Sequence, residues 1–69
     1  MFDLYQVFYG RVRTPQGIKR YKRGQELVDD YISNIDEARE KAKDFGPGHY
    51  IVINTSRSYG NNVVDRFMV

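Results

Sequence analysis

Residues 9–23 read YGRVRTPQGIKRYKR, from Tyr9 to Arg23, and hold six of the chain's eleven Lys and Arg residues without a single Asp or Glu. At the centre of the stretch stands Thr14-Pro15-Gln16-Gly17. Proline presets φ near about −65° and glycine accepts positive φ, so these residues mark a turn between two strands. The favoured two-residue hairpin turns need φ > 0 where Pro15 stands, which selects a three-residue loop, Pro15-Gln16-Gly17. The pairing that follows sets Thr14 opposite Ile18, Arg13 opposite Lys19, Val12 opposite Arg20, Arg11 opposite Tyr21 and Tyr9 opposite Arg23.

Upstream of the turn, Phe2 to Thr14 alternates as a long strand should. Phe2, Leu4, Gln6, Phe8, Gly10 and Val12 fall on one face, the expected core side, with Gln6 as its polar exception. The other face, joined across the hairpin by the pairing above, gathers Tyr5, Tyr9, Arg11, Arg13, Lys19, Tyr21 and Arg23. A slip of one residue would exchange the faces of the whole second strand.

Downstream, Gly24 interrupts the hairpin pattern. In residues 25–32 (QELVDDYI), Leu27, Val28, Tyr31 and Ile32 suit a short helix or a strand, and the reading favours an irregular or strand-like return to the core. A helix follows. Asn34 is its N-cap, Glu37 completes a capping box, and Ile35, Ala38, Ala42 and Phe45 form one apolar stripe. Glu37–Lys41 and Glu40–Lys43 decorate the wet side, and Gly46-Pro47 stops the helix. Residues 50–55 (YIVINT) and 62–69 (NVVDRFMV) read as a second strand pair around a turn at Ser56–Asn61, with Ile51, Ile53, Phe67 and Val69 expected on the core face. The order ββαββ predicts a single α+β domain over residues 1–69, an antiparallel sheet of four strands (three to five) packed on one helix.

Composition narrows the chemistry. The chain has 69 residues and no Cys, which removes disulfides, thiolate metal sites and a cysteine nucleophile, and fits a reducing, cytoplasmic setting. No apolar run is long enough to span a bilayer, so no membrane partner is expected. His49 is the only histidine and has no obvious carboxylate partner. Asp29-Asp30 with Asp36 matches no metal loop and reads as a solvated acidic segment. No nucleophile, base and oxyanion site assemble, so neither enzyme activity nor a cofactor is expected.

The net charge is +2, but residues 11–23 carry +6 while residues 25–44 hold seven carboxylates against three Lys and Arg. Arg and Lys among tyrosines can neutralise phosphates while the rings stack on bases, so the expected function is nucleic-acid binding through the basic aromatic hairpin. Arg57 and Tyr59 in the second turn are expected as secondary contacts. Charged edge strands also serve merely to keep sheets from pairing with other chains. A second expectation is a small adaptor or inhibitor, of the kind that viral modulators provide, which docks on an acidic protein surface or adds a strand to a partner's sheet. A third is a homodimer through an open sheet edge that covers Tyr5, Val7 and Tyr9. The Pro-x-Gly turn in a basic hairpin, with Asp36-Glu37-Ala38 opening the helix, resembles the sheet-plus-helix DNA-binding domains of phage integrases. Those domains place the helix after three strands, whereas a hairpin follows it here, and no residue role is carried over.

Overall fold

The alternating N-terminal segment forms strand β1, Phe2–Thr14, in a computed structural model of the chain. The structure describes residues 1–58 and 60–69, without the side chains of residues 12 and 20–23. After β1 come β2 (Gly17–Ile32), helix α1 (Ile35–Phe45), β3 (His49–Asn54) and β4 (Val63–Met68). All neighbours in the sheet are antiparallel, in the order β2-β1-β3-β4. This is the expected α+β fold, and it settles the strand order, the strand number and the conformation of residues 25–32, which the sequence left open.

The register of the first hairpin corrects the expected loop. Thr14 pairs with Gly17, so two residues rather than three form the turn. The positive φ does fall on glycine, at 130° on Gly17, and neither Pro15 nor Gln16 takes one. Gly17 therefore belongs to the returning strand while relieving the turn, and the Thr14 hydroxyl donates to its carbonyl at 3.0 Å. Arg13 now faces Ile18 and Lys19 faces Val12. The segment that looked ambiguous simply continues β2. Its register shifts opposite Phe2–Tyr5 are bulges, which give β2 extra residues and reset its alternation. Tyr31 takes a left-handed φ of 56° there. These resets explain why Val28 and Ile32 both reach the helix side at a spacing that resembles a helix.

Leu4, Ile32, Ala38, Ala42, Tyr50 and Val52 make the core between sheet and helix, with Phe2, Val28, Val64 and Phe67 packed around them. Ala38 and Ala42 are fully buried, and their short side chains let α1 lie close to the sheet. The helix starts where the capping box placed it. Glu37 N–H donates to Asn34 Oδ1 at 2.8 Å, and the Glu37 carboxylate accepts from Ser33 N–H at 3.0 Å. Lys41 turns away from Glu37 to pair with Asp29 of β2 at 2.6 Å. Arg39 reaches β4, donating to both Asp65 oxygens at 3.0 and 3.2 Å with its guanidinium over the Phe67 ring.

In β3 the expected core set is corrected. Leu4 pairs with Val52, so Tyr50 and Val52 face the helix, and Ile51 and Ile53 face the other way. Phe67 lies under the helix as expected, stacked on Tyr50 at 5.5 Å, whereas Val69 is exposed. Residues 50–53 are apolar at every position, so alternation alone could not distinguish their faces.

Gln6, the polar exception in the core set, ties the helix end to the sheet. Its amide donates to the Pro47 carbonyl at 3.2 Å and lies 3.5 Å from the Tyr50 hydroxyl, which donates to the Gly46 carbonyl. Burial pushes the Tyr50 phenol above its ordinary range, keeping it a donor. Gly48, with φ of 150°, exchanges backbone hydrogen bonds with Val69, and a Cβ there would stand 2.5 Å from the Gln6 amide nitrogen.

Two substitutions test this packing. Leu4→Ala removes about 2–5 kcal/mol, enough to unfold much of so small a domain in a urea melt. Gly48→Ala costs roughly 1–3 kcal/mol from backbone strain and the displaced Gln6 amide. Adding Gln6→Ala to Gly48→Ala costs less than the two single losses summed, because the clash disappears.

Candidate nucleic-acid interface

β1 pairs with β3 only from Phe2 to Val7, yet it pairs with β2 along its whole length. Residues 8–14 and their partners in residues 17–24 therefore leave the four-stranded body as a two-stranded arm. The molecule is accordingly long and thin, 45 × 28 × 15 Å. The basic stretch is this arm.

The expected site residues do not share one face. Arg11 and Arg13 alternate with Tyr9 on the side of the sheet away from the helix, and both are exposed. Lys19 is also exposed, but it pairs with Val12, in the opposite set to Arg11 and Arg13. The two-residue turn is the physical cause, since a register change of one residue exchanges the faces of the returning strand. In the backbone ladder Tyr21 stands opposite Gly10 rather than Arg11, and Tyr9 meets Lys22 rather than Arg23. The side chains of Tyr21 and Arg23 lie outside the described residues, as does Tyr59 altogether.

The remaining candidates sit on the body. Tyr5 is half-buried between Leu27 of β2 and Ile51 of β3, on the helix-free face. Tyr9, at the base of the arm, packs edge-on against His49 with ring centroids 4.9 Å apart. These rings border a shallow hollow with Val7, Ile51, Arg66 and Met68. Arg57 is exposed in the β3–β4 turn, beyond the end of the sheet where Phe2 pairs with Asn54, and so stands away from the arm.

Three cations of the arm are open electrostatically. Among the described residues no carboxylate pairs with Arg11, Arg13 or Lys19, and the ion pairs that do form join Arg39 to Asp65, Lys41 to Asp29 and Lys43 to Glu40. The Lys41 ammonium, hydrogen-bonded to Asp29, holds that carboxyl below its ordinary range. Its stabilising contribution is present at neutral pH and is lost as pH falls through the depressed value. Among the described residues no cluster of His, Cys, Asp or Glu is placed to hold a metal ion, and no helix is long and apolar enough to cross a membrane. Sequence reasoning weighed His49 only for a carboxylate partner and missed Tyr9, which lies forty residues away in the chain and is brought near by the pairing of Val7 with His49.

The arm is outside the core, so its order and the stability of the body are separable. Gly17→Ala strains the positive-φ turn in open space. Amide exchange across residues 9–23 should accelerate by roughly tenfold or more, the equivalent of 1–3 kcal/mol of strain, while amides of β3 and α1 stay protected. Equal acceleration throughout would show that arm and body unfold together. No protein-family model, curated protein or solved structure matches this chain.

Proposed function

We propose that this protein binds nucleic acid by inserting the β1–β2 arm into a groove of a duplex. The observation that carries the reading is a projecting two-stranded ribbon whose segment has six cations and no carboxylate. A ribbon of two strands fits a major groove about 12 Å wide, and counterion release drives cations onto its phosphate walls.

The register supports a groove over a flat stacking platform. A platform needs its cations and rings on one face, whereas Arg11 and Arg13 alternate away from Lys19. Between two phosphate walls, long side chains leaving either face of a ribbon stay within reach of a phosphate. Tyr9 at the arm's base is held by His49, where it would border the duplex rather than enter it. Arg57 plays no part in this arrangement.

Fluorescence anisotropy with short duplexes over a salt series tests the proposal. If four to six cations meet phosphate, affinity falls by about 10²–10³-fold between 50 and 200 mM salt. Replacing Arg11, Arg13 and Lys19 by Ala lowers the steepness of the log–log salt plot by about 0.9 per lost contact. Preference for single strands over duplexes would favour stacking instead. Absence of binding to either at low salt contradicts the proposal, and capture of an acidic protein that survives nuclease would replace it with the adaptor reading.

A further inference from the structure

Independently of nucleic acid, we infer that the helix-free face of the sheet is a self-association surface, covered by a second copy of this chain with the two β1 strands antiparallel. The residues of β1 on this face are, in order, Asp3, Tyr5, Val7, Tyr9, Arg11 and Arg13. They run from an acid through an apolar centre to a basic end.

The apolar centre already behaves as half of an interior. Among the described residues no layer covers this face, yet Val7 and Ile51 are only 5 and 6% exposed because neighbouring side chains close over them. Around them Tyr9 and Leu27 remain 42 and 47% exposed. The helix uses the other side of the sheet.

The charges select the occupant and its direction. Asp3 lies beside Asp30, and among the described residues no Lys or Arg pairs with either. Burial, and then the neighbouring Asp30 charge, push the Asp3 carboxyl above its ordinary range, outweighing the opposing pull of the N-terminal ammonium. A two-fold axis lying between the sheets and crossing β1 near Val7 or Phe8 carries Asp3 of one copy over Arg11 or Arg13 of the other. Both ends are satisfied by the same operation, which is what an isologous interface requires. Sheets packed face to face lie about 10 Å apart, within reach of two facing side chains. Parallel strands would instead stack Arg on Arg and Asp on Asp. Because the dimer occupies Arg11 and Arg13, duplex nucleic acid and self-association compete.

Sedimentation velocity of the full chain without nucleic acid, across the micromolar range at low salt, tests this. The wild-type chain forms a dimer. Asp3→Arg with Asp30→Arg, and separately Arg11→Asp with Arg13→Asp, each weaken self-association by roughly tenfold or more. An equimolar mixture of the two variants restores a heterodimer, since every contact is then again between opposite charges. In wild-type dilution series, amide shifts move at Val7, Tyr9 and Ile51 and stay fixed along α1. A wild-type chain monomeric throughout overturns the inference, as does association indifferent to the charge reversals or a mixture that fails to re-associate. Duplex binding by a strictly monomeric chain would leave the groove reading standing alone.

Discussion

β1 joins β2 to β3 inside the sheet, and its alternation fixes which way the residues beside it face. Leu4 points to the helix, which forces Val52 beside it to do the same and sends Ile51 to the far face. Gln6 follows Leu4 on the helix side and is tolerated there because the Pro47 carbonyl and the Tyr50 hydroxyl take its amide. The helix then needs only small residues against the sheet, and Ala38 and Ala42 provide them. A small domain has few other ways to close a core.

The same strand continues past the point where β3 ends, so its second half answers to a different constraint. Residues 8–14 have β2 beside them and no ladder partner in β3, with Tyr9 packed on His49 at the base. The backbone of the arm is held by its ladder with β2 and by the turn at Pro15-Gln16. This divides the molecule into a packed body that sets stability and a charged ribbon on which Arg11, Arg13 and Lys19 are exposed. The proposed groove binding and the proposed dimer share Arg11 and Arg13, and both follow from β1 running on past its pairing with β3.

Much of this was legible in the sequence. The strand Phe2–Thr14, the helix with its Asn34 cap, and the ββαββ order follow from alternation, capping and punctuation, which are local. What failed was non-local or degenerate. Gly17 takes the positive φ expected of it, yet that is compatible with Gly17 closing the loop or opening the strand, and the expectation that Pro15 selects a three-residue loop failed because only the pairing decides. Residues 50–53 carry no polar marker, so their faces depend on the neighbour across the ladder. Lys41 found Asp29 on another element rather than Glu37 on its own, a choice that helix spacing does not contain. The candidate site fared similarly. Its charge was plain, its location on an arm was not, because only the β1–β3 register shows that β3 begins beside Val7. The gradient from Asp3 to Arg13 was visible too, but the odd positions of β1 had been read only as an outer face.

Everything said about the faces of the arm rests on one register, and cross-strand backbone NOEs in the arm measure it directly. The structure predicts contacts joining Val12 to Lys19 and Gly10 to Tyr21. Contacts joining Arg13 to Lys19 and Arg11 to Tyr21 would contradict it. They would return Lys19 to the side of Arg11 and Arg13, restoring the single basic face that the two-residue turn divides.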